Sequence, residues 1–490
     1  MAKKAVKKKA GKKKAGKKKA SKKKAVPKKA APKKKGRVLK QRQTMAQVVS
    51  AHADSRYVVK ADDFQYFDRR KIFFGVIDVE LFLMPVIGGR TCIVGEEMSG
   101  KTVMLKKMTG ALQRTCRACQ YPIIDWLNDE TGEVITRCKC GANRPMEGVY
   151  IDIEDSFDPR WARRWGVQIG DEVRKEKGYD VRGGKDSGLW VVIPKSGDYA
   201  LDFTIAAIKD GAADFVVIDS IAFILREADK AKLVGDAHQP MQRAAFIAGW
   251  LYKLLAAQIG SKMDFGAPAT LIWANQFYTG MPRNPKSDPR QESGGKRVKQ
   301  VSSNRMKIRW AHPEKTKEVG AQFKSRYLDV RFEALKAKAR TPHNLGEYRL
   351  FLDNHGNNSI GTSDDADRLV TYFDMIGLFE KRKNSYWCLG REFKRVKDII
   401  AFLNRPDINY IARYFIFRTF LPTSAQDYLL ESDFSWSPFG PDPAFKIYED
   451  LGYEPKSERT AGGSPLTENE GSDDVEDSEE EAFTDDDLFD

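Results

Sequence analysis

This sequence predicts an α/β protein whose central sheet is mostly parallel and covered by helices on both faces. Three observations predict it. Residues Gly95-Glu96-Glu97-Met98-Ser99-Gly100-Lys101-Thr102 fit G-x-x-x-x-G-K-[ST], and they lie between an apolar run, Thr91 to Val94, and a helical segment, Thr102 to Gln113. Downstream, strand-like apolar runs alternate with amphipathic stretches. Those runs are largely apolar throughout, the pattern of strands buried on both sides.

The glycine-rich segment is read as a phosphate-binding loop between strand and helix. Glycines let backbone N–H groups wrap phosphates, and the helix N-terminus favours negative charge. Gly95, Glu97, Ser99 and Gly100 would cradle the nucleotide, Lys101 would reach its β- and γ-phosphates, and Thr102 would ligate Mg²⁺. Further on, Val149 to Glu154, Leu189 to Ile193, Asp214 to Asp219 and Ala269 to Ala274 read as strands. Leu201 to Ala212 and Ala244 to Ile259 read as helices. In such sheets ligands gather at the carboxyl ends of strands. Glu154, Asp219 and Gln276 fall at or just beyond those ends, with Lys101 after the first. Asp219 is placed to hold Mg²⁺, with a helix cap as the simpler alternative. Glu154 is placed to orient or deprotonate an attacking water.

The formal net charge of +16 is very unevenly spread. Residues 1–40 hold 21 Lys and Arg and no acids, and residues 466–490 hold 13 Asp and Glu and no bases. The body between them is only mildly basic. The lysine- and alanine-rich tail cannot build a core, is expected to be disordered, and would bind polyanions through counterion release. The acidic tail is likewise expected to be disordered, and it carries Phe483, Leu488 and Phe489 for competition with DNA or for docking a partner. No apolar run reaches 18 residues and no secretory h-region is present, so neither a membrane span nor a membrane partner is expected.

Cys116 and Cys119 form one close pair, and Cys138 and Cys140 form another after 18 intervening residues. Thr131-Gly132 marks a hairpin between the pairs. This pattern reads as a four-cysteine ribbon over 113–146 holding structural Zn²⁺, with a redox pair as the rival reading. Its basic neighbours Arg114, Arg117, Arg137, Lys139 and Arg144 point to contact with DNA or a partner. Cys92 reads as a core residue and Cys388 as a structural one.

The ordered series GEEMSGKT, YIDIEDSFDPRWARRWGV, VVIDSIAFI and WANQ, with Gly294-Gly295 downstream, resembles the bacterial RecA recombinases and their phage UvsX-type relatives. The likeness runs over roughly residues 70–455. It implies a RecA-like ATPase core over 76–360 and an oligomerisation arm over 41–75, with a helix at Thr44 to Ala53. A small α+β DNA-binding domain over 361–455 and an acidic tail over 456–490 would follow. It also implies that Glu154 is catalytic, that Asp219 is the Walker B aspartate, and that Gln276 senses the γ-phosphate. Asp158 and Trp161 match positions that contact adenine. Lys336 and Lys338 match lysines that complete a neighbouring subunit's site. Glu96 and Met98 depart from the family's usual residues.

Two segments resemble the family's DNA loops. The first offers His238 and Arg243. The second, Phe277 to Gly295, offers Phe277, Tyr278, Arg283, Lys286 and Arg290, with Lys296 just after it. Mobile backbone, positive charge and aromatics suit a single strand held by phosphates and stacking. The resulting expectation is an ATP-dependent recombinase that forms a head-to-tail helical filament on single-stranded DNA and pairs it with duplex. A single-strand-binding protein or other replication proteins could bind its tails. The alternatives are a helicase-like motor or processing ATPase on the same fold, or a non-enzymatic DNA-compacting protein. A bacterial cytoplasm with a phage-encoded gene is the expected setting, and the lysine tail leaves a nuclear one open.

Deleting residues 1–40 is expected to leave DNA-dependent ATP hydrolysis in place. A compacting protein would lose its DNA activity in the same assay.

Overall fold

The computed structural model describes residues 70–170, 172–176, 179–184, 188–230, 240–265, 268–279, 290–310, 327–337, 344–352 and 361–420. Both charged tails, the arm before residue 70, and His238, Arg283, Lys286 and Lys338 lie outside them.

The chain opens with helix α1 (Ile77–Leu83), strand β1 (Arg90–Gly95) and helix α2 (Lys101–Gln113). A hairpin of β2 (Ile124–Leu127) and β3 (Val134–Arg137) follows. Next come β4 (Gly148–Asp152), α3 (Pro159–Arg164), β5 (Glu172–Glu176), β6 (Tyr179–Gly184), β7 (Leu189–Pro194), α4 (Gly197–Lys209) and β8 (Phe215–Asp219). After α5 (Glu227–Lys230) and the long α6 (Pro240–Phe265) run β9 (Thr270–Thr279), β10 (Arg290–Glu292), α7 (Gly295–Val301), β11 (Asn304–Trp310), β12 (Tyr327–Lys336) and β13 (Asn344–Phe351). A small unit closes the described chain: α8 (Asp365–Ile376), β14 (Phe379–Lys381), β15 (Tyr386–Cys388), β16 (Arg391–Phe393), α9 (Val396–Leu403) and α10 (Pro406–Phe420).

The main sheet runs β13-β12-β11-β1-β9-β8-β4-β7-β6-β5, with β10 on the extension of β9. From β11 to β7 every neighbouring pair is parallel. Antiparallel strands extend it on both flanks. The mixed α/β architecture with a mostly parallel centre is therefore as the sequence predicts. Its flanks are additions, because β5, β6, β12 and β13 carry charged residues at alternate positions and lack the apolar runs that mark the centre.

Both faces of the centre are covered. Ile93, Tyr150, Val217 and Ile272 pack on one side with Met104, Leu105, Met108 and Leu112 of α2. Cys92, Val149, Ile151, Ile218 and Trp273 pack on the other with α4, α6 and α7. Helix α4 begins four residues earlier than predicted because Ser196 caps it, its hydroxyl accepting the Tyr199 N–H at 3.5 Å. Helix α6 outruns its predicted span at both ends. Strand β9 continues to Thr279 because β10 gives its far half an antiparallel partner. Among the described residues no helix is long and apolar enough to cross a membrane.

A third apolar cluster joins the C-terminal unit to α1 and to the β2–β3 hairpin. At its heart lies a buried ionic network. Arg413 donates to Glu80 Oε2 at 2.5 Å and to Asp365 Oδ2 at 2.8 Å. Glu80 also accepts the N–H groups of Phe74 and Gly75 at 2.6 and 2.8 Å, so it orders the approach to α1. Burial works against the Asp365 carboxylate, but Arg413 holds it below the usual range. Replacing Arg413 by Met would strand two buried carboxylates. The variant should lose about 3–5 kcal/mol of stability in urea denaturation.

Candidate functional site

The carboxyl ends of β1, β9, β8 and β4 meet at one edge of the sheet. Register fixes the neighbours: Gly95 stands beside Gln276, and Asp152 beside Asp219. The phosphate loop leaves β1 there. Gly100 has φ +92° and Met98 φ +60°, left-handed conformations that turn the chain into α2. Ser99 donates to the Glu96 carbonyl at 2.8 Å, and the Lys101 ammonium donates to the same oxygen. Glu96, Glu97 and Met98 point outward and are exposed, whereas Lys101 is buried. Burial pulls the Lys101 pKa below its ordinary value, against the opposing charges of Glu154 and Asp219.

Asp219 ends β8 almost fully buried, at 1% exposure. The Tyr150 hydroxyl donates to its Oδ2 at 2.8 Å, and Thr102 also hydrogen-bonds to it. Desolvation raises the Asp219 pKa despite these bonds. The carboxylate faces the phosphate loop and does not cap a helix. Its neighbour Asp152 accepts the Phe157 and Ser156 N–H groups at 2.8 and 3.2 Å. Beyond β4, Glu154 Oε1 accepts both the Ser220 hydroxyl at 2.7 Å and the Gln276 amide at 3.2 Å. Burial raises the Glu154 pKa, opposed first by the Ser220 hydrogen bond and then abetted by Asp219. Thr102 and Asp219 thus lie together as a Mg²⁺ site needs, one hydroxyl and one carboxylate beside the phosphate loop.

Asp158 caps α3, accepting the Arg160 and Trp161 N–H groups at 2.7 and 3.2 Å. Trp161 is half-buried edge-on against Trp165, with ring centroids 5.4 Å apart. Reading the sequence did not single out Tyr150, Asp152 or Lys106. The signal for Asp152 was a carboxylate inside an otherwise apolar strand. For Lys106 it was a lysine in the mostly apolar helix after the loop, where it is buried near Asp219, Asp152 and Asp158.

The segment read as the second DNA loop begins and ends in strands. Phe277 and Tyr278 belong to β9, and Arg290 belongs to β10. Arg290 pairs with Thr279, and Glu292 pairs with Phe277. Glu292 is anchored in the interior by Arg305 at 2.6 Å, which pins the returning strand. Residues 280–289 lie outside the described residues. Lys296 is exposed on α7. Arg243 is half-buried and donates to the Ala222 carbonyl, so its guanidinium is engaged within the protein. The Lys336 ammonium donates to the carbonyls of Lys299 and Ser302 at 3.0 and 2.7 Å, closing the C-terminal end of α7.

The four cysteines form a separate cluster. Their sulfurs all lie within 4.8 Å of one another, with Cys116–Cys140 at 3.8 Å and Cys138–Cys140 at 3.5 Å. Tetrahedral thiolates about 2.3 Å from zinc stand about 3.8 Å apart. The donor set fits a metal and the separations are far beyond a disulfide. Arg117, expected to touch DNA or a partner, pairs with Asp214 at 2.9 Å, and Lys139 lies over the Tyr121 ring at 4.8 Å.

The model of the RecA N-terminal domain matches residues 134–354. Over these residues the chain is similar to the RecA N-terminal domain. Protein RecA of Leptospira biflexa is 27% identical over 265 residues, covering 53% of this chain and 58% of its own. Protein RecA of Rhodopirellula baltica is 25% identical over 234 residues, with 46% and 53% covered. Protein RecA of Clostridium perfringens strain 13 is 31% identical over 163 residues, with 33% and 38% covered. These matches span between 38% and 58% of the relatives' own length. The matched residues include Glu154, Asp219 and Gln276. The phosphate loop lies before it and joins through β1, which pairs with both β9 and β11.

Gly95 tests the loop directly. A Cβ there would stand 2.5 Å from Ser99 Oγ and 2.6 Å from the Ile308 carbonyl, so the loop would shift off its strand. Gly95→Ala should weaken ATP binding at least about tenfold in calorimetry, which corresponds to a loss of about 1.4 kcal/mol.

Proposed function

We propose that this protein is an ATP-dependent DNA recombinase. In this reading subunits bind single-stranded DNA, polymerise head to tail with ATP at their interfaces, pair the strand with homologous duplex, and release it on hydrolysis. The observation that carries the reading is the placement of Glu154 between Ser220 and the Gln276 amide. Gln276 lies on β9, three residues before that strand enters the second loop. One hydrogen bond therefore joins the group that would activate water to the segment that would grip DNA, so occupancy at either end can be felt at the other.

Within the site, Lys101 and the loop amides hold the β- and γ-phosphates, and Thr102 and Asp219 hold Mg²⁺. When bound, the ion neutralises charge on the phosphate oxygens. Glu154 orients the attacking water and takes its proton, which the raised pKa favours. In the second loop Phe277, Tyr278, Arg283, Lys286, Arg290 and Lys296 would meet the single strand, and His238 and Arg243 would serve the first. Trp161 and Asp158 flank the base.

Lys336 and Lys338 complete a neighbour's site in this reading. Lys336 must then leave the α7 carbonyls it now caps. Assembly would exchange a contact within one chain for one between chains. A head-to-tail contact of this kind that does not close yields a helical filament.

ATP hydrolysis with and without single-stranded DNA tests the proposal. DNA should stimulate the wild type strongly, and Lys336→Ala should abolish that stimulation. Glu154→Gln should keep nucleotide binding and lower turnover by about 10²- to 10⁴-fold. Hydrolysis that ignores both DNA and Lys336 would identify a different ATPase on the same fold.

A further inference from the structure

The cysteine hairpin occupies a position that its sequence alone does not explain. It leaves α2 at Gln113 and returns to β4 at Gly148. A segment this short cannot build a core of its own, and such units usually need a metal or disulfides. Two of its large apolar side chains show the problem. Ile124 and Trp126 do not pack within the hairpin. They enter the apolar cluster of the C-terminal unit, where Trp126 is 2% exposed. The opposite face is bare, with Val134 60% exposed. Met146 at its end packs into the main core, so the buried apolar side chains of the segment are largely spent on other units.

The cysteines supply that cohesion. Each pair sits in a tight turn. The Gln120 N–H donates to the Cys116 carbonyl at 2.7 Å and the Gly141 N–H to the Cys138 carbonyl at 3.0 Å, with positive φ at both turn-closing residues. The Asn143 N–H points at Cys138 Sγ from 3.4 Å, and its side chain accepts the Cys138 N–H at 2.8 Å. Backbone N–H groups directed at sulfur stabilise thiolates, the form that ligates metal.

The far end of the hairpin is latched. Asp129 at its tip accepts Arg391 and Arg405, both at 2.6 Å. Arg405 also pairs with Asp407 at 2.6 Å, and Asp407 accepts the Leu127 N–H at 3.4 Å. The near end is fixed to the core by Arg117, which pairs with Asp214 and donates to the Gly211 carbonyl at 2.6 Å.

We propose that Cys116, Cys119, Cys138 and Cys140 bind one Zn²⁺ as thiolates, and that the metal-braced hairpin clamps the C-terminal unit to the ATPase core. The partner of the ribbon is thus the chain's own C-terminal unit. Each thiol gives its proton to solvent as the ion binds, and no position stays open for catalysis. Without the ion the turns open, Trp126 loses its fixed backbone, and the C-terminal unit is left with its attachments to α1 and β13, among them Arg413 on Glu80 and Arg368 on the Glu347 carbonyl. This inference does not depend on the nucleotide reading.

The test uses the full chain. Metal content is measured by mass spectrometry, and hydrogen exchange is followed at 386–417 before and after stripping with a zinc chelator. One zinc per chain is expected. Stripping should speed exchange at 386–417 at least tenfold while β1 stays protected. Asp129→Arg places a third guanidinium beside Arg391 and Arg405. It should speed exchange in the same residues while one zinc stays bound, which separates the latch from the metal. A chain that binds no zinc, or iron in its place, overturns the metal site. Zinc that leaves without changing exchange at 386–417 overturns the clamp, as does an unchanged Asp129→Arg variant.

Discussion

Parallel strands buried on both faces leave a polar side chain almost nowhere to go except their ends. In β1, β4, β8 and β9 nearly every residue is interior, and the chemistry-bearing groups gather where those strands stop. The same constraint sets their electrostatics. Asp152, Glu154 and Asp219 lose water together, Asp219 raises the proton affinity of the other two, and Lys101 and Lys106 are the cations that compensate Asp219. Such a cluster of like charges is costly at rest and well matched to a cation and a phosphate chain. Tyr150 contributes by donating from within the core to the most deeply buried of the three carboxylates.

What could be read from the sequence follows from range. The phosphate loop, the apolar strands and the two cysteine pairs are each written in a few adjacent residues, and each was legible. Asp219 and Gln276 were legible because apolar strands announce their own ends. Arg413 was silent, because its partner Glu80 lies 333 positions away and nothing local marks either residue as buried. Trp126 was equally silent: a hairpin tryptophan looks the same whether it packs on its own strand or on another unit. The strands at the ends of the second loop were missed for a related reason. Gly, Pro and Ser from 279 onward signal a loop, but the Glu292–Arg305 pair that zips β10 onto β9 is tertiary.

Several cations expected to face nucleic acid, a partner or a neighbour's nucleotide have intramolecular partners. Arg117, Arg243, Lys139 and Lys336 each have a carbonyl, carboxylate or ring within reach. A basic residue near a candidate surface is therefore weak evidence by itself, because helix ends and aromatic faces compete for the same charge. Lys296, exposed on α7, and the loop between β9 and β10 hold the stronger claim on DNA.

Helix α2 has one end at the phosphate loop and the other at Gln113, three residues before the first cysteine. At 13 residues it is about 20 Å long. It is buried along nearly its whole length, so it behaves as a stiff rod seated in the core. One tip touches the γ-phosphate position in the proposed site, and the other carries the base of the hairpin that grips α10. A tilt of a few degrees at the first tip becomes a displacement of an ångström or more at the second.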